Sequence, residues 1–140
     1  LAVVAAELLE PRVLLGGFLI ELVLAVVLIG GFSAAGVDLA TGVSTASAVI
    51  IGVGCFAAAF LIVLWLGRGI QSRVVLHGFL MGLVATLLYL GFVAGSGQMS
   101  LALAVYGPAT FVTVNGVRIV GAVFGGAACE RRRARRPAIL

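Results

Sequence analysis

The sequence contains no lysine: all nine of its basic residues are arginine, and only five residues are acidic. One histidine, one tryptophan, two cysteines and three prolines leave little to titrate and little to break a helix. Each shortage excludes something. Charged residues make up 10% of the chain, against roughly a quarter in a soluble domain, so an ordinary aqueous surface is excluded. Without lysine there is no phosphate-binding loop of the Walker type. Cys55 and Cys129 have neither a CxxC partner nor a neighbouring histidine, so neither a metal site nor a disulfide is expected. The few polar residues form no Ser-His-Asp set, no HExxH motif and no pair of carboxylates at one depth. The chain is therefore not expected to be an enzyme, and no cofactor is expected.

What is present is hydrocarbon. The chain is 63% hydrophobic, with a mean hydropathy of +1.30. Four runs are long enough to cross ~30 Å of bilayer core, which takes about 20 helical residues. They cover residues 13–32, broken only by Glu21; 46–66, without charge; 74–94, with His77 near its start; and 108–128, with Asn115 and Arg118. The apolar stretch before the last run begins near Leu101 and is interrupted at Gly107-Pro108. Proline suits a helix start and breaks a helix interior, so a short separate segment is expected there. The expected fold is all-α: one integral membrane domain, a four-helix bundle running up-down-up-down through short loops. Residues 129–140 form a basic tail. The first ten residues, with Glu7 and Glu10 on one helical face, read as a short interfacial helix before Pro11 or as the end of a longer segment. No stretch reads as a cleavable signal peptide.

Arginine placement sets an orientation. Arg12 precedes the first run, Arg68 and Arg73 lie between the second and third, and ERRRARR follows the fourth. The other two linkers, SAAGVDLATGVST and AGSGQMS, have no arginine. Four crossings put both termini and the middle linker on one side. The positive-inside rule makes that side the cytoplasm of a cell whose inner membrane holds the protein. Trp65 fits an interfacial belt position at the same side. The net charge of +4 is concentrated in the tail, so the expected acidic partner is the bilayer rather than nucleic acid. Arg131, Arg132, Arg133, Arg135 and Arg136 are the residues placed to meet anionic headgroups, although orientation alone would also select them.

Glu21 and Arg118 are the only permanently ionisable groups deep inside the apolar runs. A charge at bilayer depth is costly and persists where it is paired or used. Glu21 lies roughly 13 Å beyond Arg12, and Arg118 roughly 16 Å before Cys129, at the helical rise per residue. Half the hydrocarbon thickness is ~15 Å, so the two charges share a depth. In an up-down bundle the first and last helices can be neighbours, which invites pairing. Asn115 shares a face with Arg118 and could add a hydrogen bond. The pair can hold the bundle shut, or it can be a proton or ion site in a polar cavity. His77 sits near the interface, where it reaches the headgroup zone or acts as a proton relay.

There are 20 glycines, about twice the usual share. Gly78 and Gly82 form one GxxxG pattern, and Gly121 and Gly125 another. Such faces let helix backbones approach closely, within one bundle or between copies.

The stretches RVVLHGFLMGLVATLLY and RIVGAVFGGAACERRR resemble a group of small, uncharacterised four-helix bacterial membrane proteins of the YrzE-like type. That likeness rests on LHGFLMG and VGAVFGG and covers most of the last three runs. It implies a four-helix fold and no particular activity. Locally, LLGGFLIE is similar to the first helix of small multidrug resistance transporters, in which a membrane-embedded Glu exchanges protons for cationic drugs. What this implies here falls on Glu21 alone. The chain departs from that pattern in glycine spacing, in having no Trp in the third run, and in carrying Arg118. The expected function is a structural or accessory subunit of a membrane assembly, alone as a homo-oligomer or with other membrane subunits. The alternative is a small proton-coupled transporter or channel using Glu21.

Overall fold

The computed structural model describes residues 10–34, 43–70 and 72–135. The expected helix over the first ten residues falls almost wholly outside them, as does Arg136. Among the described residues all regular structure is helical: five helices, four of them long and apolar enough to cross a membrane.

Local chemistry sets the helix ends. Helix α1, Pro11–Ala34, opens with Pro11 in its first turn, where the missing N–H costs nothing. It widens into a π-helical stretch over Ala25–Ile29. Helix α2, Thr45–Leu66, is capped by Ser44, whose hydroxyl accepts from the Ser47 amide at 3.1 Å, and it tightens into a 3₁₀ turn over Gly67–Gly69. Arg73, in the left-handed region at φ 52°, breaks the chain before α3, Val74–Gly95. A short helix, α4, covers Met99–Tyr106. Gly107, at φ 72°, makes a turn that a side chain would strain, and Pro108 then starts α5, Pro108–Ala134. This helix outruns the expected 108–128 and carries Arg131, Arg132 and Arg133 in its last turn. Arginine is a good helix former, and its charge complements the carbonyl-rich C-terminal end.

The four long helices pack as a rhombus. Helix α5 lies mainly against α2 and α3; α1 lies against α3 and, less extensively, α2. Helices α2 and α3 scarcely touch, and α1 and α5 make no extensive contact. The first and last helices are therefore diagonal partners, not neighbours. Glycine decides this. A Cβ on Gly78 would sit 2.5 Å from the Ala122 carbonyl oxygen, and one on Gly82 2.9 Å from Ile119 Cα, so α3 lies backbone-close to α5. Gly121 and Gly125 do the same for α5 against Phe56 and Phe60 of α2. Both GxxxG faces are thus used inside the chain.

The bundle is solid at one end and hollow at the other. Val13, Ile20, Val63, Leu80 and Met81 are fully buried around the half that begins at Arg12. Arg133 ties that end together: its guanidinium donates to the carbonyl of Ile70, and to those of Gly67 and Arg68 at 3.2 and 3.3 Å. Arg12 donates to the Gly69 carbonyl on the same turn. The arginine-bearing start of α1, the α2–α3 turn and the end of α5 therefore gather at one end. Outward, large apolar side chains such as Val26, Val53, Phe92, Val112 and Phe124 are exposed on all four long helices.

Candidate functional site

Arg118 on α5 is 4% exposed, and its charge is met from across the bundle. Its Nη1 donates to Glu21 Oε1 of α1 and, at 3.4 Å, to the carbonyl of Ala85 on α3. The guanidinium carbon stands 5.1 Å from the centre of the Tyr89 ring, within cation–π range. Arg118 thus reaches past α3 to the diagonal helix. Only a side chain of this length, with a planar fork of donors, bridges that gap and leaves donors for a second acceptor. Glu21 is not sealed, since a fifth of its side chain is exposed.

Asn115 lies one turn before Arg118 but does not turn to it. Its Nδ2 donates to the Phe111 carbonyl of its own helix at 2.8 Å. Its Oδ1 is buried with no partner among the described residues, and so is Arg118 Nε. Both residues line a cavity of about 520 Å³, together with Glu21, Tyr89, Tyr106 and Phe111. The remaining wall is apolar. The cavity occupies the half of the bundle away from the arginine-rich end, and the π-helical turn of α1 begins beside it at Ala25. Cys55 is a buried free thiol on the same wall.

His77 belongs to a different place. It is buried, with Nδ1 3.0 Å from the Arg73 carbonyl and Nε2 2.6 Å from Glu10 Oε2. Both ring nitrogens stand within hydrogen-bonding distance of an oxygen. Ala85 lies roughly 12 Å further along α3 by helical rise, and fully buried Leu80 and Met81 lie between. The structure therefore does not bring His77 to the Glu21–Arg118 pair.

The basic end is divided. Arg133 is turned inward onto carbonyls, whereas Arg131, Arg132 and Arg135 border a second hollow with Phe60 and Phe124. Glu130 accepts from the Val75 amide at 3.3 Å and fixes the start of α3. Among the described residues no three His, Cys, Asp or Glu side chains gather as a metal site would require. Sequence reasoning placed neither Tyr89 nor Tyr106 at the ion pair's cavity, nor Glu10 against His77. Only Tyr89 left a trace, because it stands one turn after Ala85 on the face that meets Arg118.

No protein-family model, no curated protein and no solved structure matches the chain. The likenesses noted in the sequence therefore rest on the quoted stretches alone.

Proposed function

We propose that the chain is a multi-pass protein of a cell's inner membrane. In this reading it is an up-down-up-down bundle with its arginine-bearing ends in the cytoplasm, serving as a structural or accessory subunit of a membrane assembly. One observation carries the reading: a guanidinium and a carboxylate join the two diagonal helices while the outer faces stay apolar. In water such a surface would drive aggregation. In lipid it is the ordinary exterior, and a cross-braced charge pair holds helices that apolar attraction alone cannot. The residue pairings support the alternating course. Gly16 meets Met81 and Gly17 meets Val84, so α1 and α3 run in the same sense; Gly121 meets Phe56 and Gly125 meets Phe60, so α2 and α5 do too. Gly78 and Gly82 meet Ala122 and Ile119, which run in reverse order, so α3 and α5 oppose each other. The exposed Trp65 fits the interface at the arginine-rich end.

Extraction from native membranes in a mild detergent is expected to bring the chain out in an assembly larger than one copy plus its micelle. A lone monomer across several detergents would defeat the subunit reading.

The transporter reading is favoured by one feature, the open cavity that reaches the Glu21 carboxylate. The two readings part at Glu21→Gln. A proton-coupled carrier loses proton-linked uptake in proteoliposomes while binding its cargo; a structural brace loses thermal stability, and no uptake was there to lose.

A further inference from the structure

We infer that Arg131, Arg132 and Arg135, with the hollow they border beside Phe60 and Phe124, form a binding site for one anionic phospholipid. The phosphate sits on the guanidiniums and the first part of an acyl chain lies in the hollow. The inference deepens the membrane reading and rests on it; it does not need the assembly reading.

The three charges are uncommitted. Of the acidic side chains described, Glu10 meets His77, Glu21 meets Arg118 and Glu130 accepts from the Val75 amide. None is left for Arg131, Arg132 or Arg135, which make no hydrogen bond or ion pair among the described residues. Helical spacing sorts the basic end. Positions 124, 127, 128, 131, 132 and 135 follow one another by three or four, so they share a face of α5. Position 133 lies on the other side, where Arg133 is held by the carbonyls of the α2–α3 turn. The arginines on the shared face are exposed. A guanidinium presents paired N–H donors that match phosphate oxygens, which an ammonium group does not.

Orientation asks for positive charge on this side, but it does not ask for a hollow beneath the charge. The hollow measures about 340 Å³, at the small end of the ~300–1,000 Å³ of small-molecule pockets, so most of a lipid stays in the bilayer. Its wall away from the arginines is apolar, formed by Phe60 of α2 and by Phe124, Ala127 and Ala128 of α5. Ring contacts fix that wall: Phe56 stacks on Phe60 with ring centres 6.1 Å apart and meets Phe124 at 6.0 Å. Phe124 is 58% exposed, so the hollow lies on the outer surface, where lipid reaches it. Phe124 stands two turns before Arg131, roughly 10 Å along the axis by helical rise. Guanidiniums at the helix end with rings beneath them repeat the order of a phospholipid, phosphate outside and chain inside. A free phosphate would answer the arginines and leave the hollow unfilled. A zwitterionic lipid would bring a second cation to three that are already crowded. An anionic phospholipid answers both the charge and the hollow.

The test uses the full chain in phosphatidylcholine nanodiscs doped with a phosphatidylglycerol that carries a photoactivatable diazirine near the head of one acyl chain. Saturable labelling is expected, mapped by mass spectrometry to the segments around Phe60 and Phe124 and displaced by unlabelled phosphatidylglycerol. Arg132→Gln is expected to weaken binding about fivefold, and the triple change Arg131→Gln, Arg132→Gln, Arg135→Gln about a hundredfold. Arg68→Gln removes the same charge from an exposed position at the same end and is expected to leave binding unchanged. Ala127→Trp, which puts an indole into the hollow and alters no charge, is expected to abolish labelling while the melting temperature holds. The arginines are exposed, so the triple variant serves even if Ala127→Trp folds poorly. The proposal fails if label spreads evenly over the lipid-facing surface, or if added phosphatidylcholine competes as well as phosphatidylglycerol. It fails if inorganic phosphate displaces the label, which would mark a site for a soluble anion. It fails too if Ala127→Trp labels like the parent, or if Arg68→Gln costs as much as Arg132→Gln, which would mark a diffuse basic surface. A chain that does not enter nanodiscs overturns the membrane reading and the lipid site together; an inserted chain without saturable labelling overturns this inference alone.

Discussion

Glu21→Leu is expected to destabilise the bundle more than Arg118→Leu, and the double substitution less than either. The reasoning begins with what each single change leaves behind. Removing Glu21 strands a guanidinium that keeps its charge in proteins, 4% exposed, with the neutral Ala85 carbonyl and the Tyr89 ring beside it. Breaking a buried pair in this way costs about 3–5 kcal/mol. Removing Arg118 strands a carboxylate that is a fifth exposed to an open cavity and can become neutral by taking up a proton. That loss should be nearer the ~1–3 kcal/mol of an abandoned hydrogen-bonding partner. The double variant leaves no charge and adds apolar volume to the hollow, so most of the damage should be undone. A double-mutant cycle on unfolding in mixed micelles reads the coupling directly. The charge exchange Glu21→Arg with Arg118→Glu should recover part of the stability, but not all, because the Ala85 carbonyl and the Tyr89 ring are placed for a cation on α5. Equal and additive losses at the two positions would show that the pair braces nothing.

The depth of these two residues is legible in the sequence, because helical rise converts position into distance from an arginine-marked end. Their partnership across the diagonal is not. Which helices sit side by side depends on where glycines remove side-chain bulk, and that sorting needs both faces of a contact. GFLMG and GAVFG are visible as motifs, yet nothing in them says that one faces α5 and the other α2. The break at Gly107-Pro108 is legible for a local reason: proline fixes its own φ and the glycine tolerates a positive one. The cavity is illegible for the opposite reason. It is a volume that five helices fail to fill, and the residues around it, Phe18, Leu22, Tyr89 and Phe92, read singly as ordinary lipid-facing or core positions. Glu10 is the same kind of omission: a carboxylate in an apparently peripheral segment turns out to close on His77.

The glycine contacts yield the other large effect, and here two opposing terms must be weighed. In a soluble helix Gly→Ala gains up to ~1 kcal/mol in propensity. At Gly116, where a Cβ meets nothing within 4 Å, that gain should stand, and Gly116→Ala should be neutral or stabilising. At Gly121 the new methyl would lie 2.5 Å from the Phe56 carbonyl oxygen and 2.9 Å from its Cα, both backbone atoms of a packed helix. Nothing there can rotate away, so α2 and α5 must separate along the most extensive contact of the fold. Overpacking of this kind costs about 1–3 kcal/mol for small additions, enough to reverse the propensity gain. Gly121→Ile adds more bulk at the same point and should abolish the bundle, seen as loss of the folded fraction in size-exclusion profiles. Gly116→Ile, on the same helix and facing outward, should purify as the parent does. Both positions lie on α5, so insertion and hydropathy change alike in the two variants and only the contact with α2 differs. If Gly121→Ile survives as well as Gly116→Ile, backbone-close packing of α5 on α2 is not what sets the rhombus.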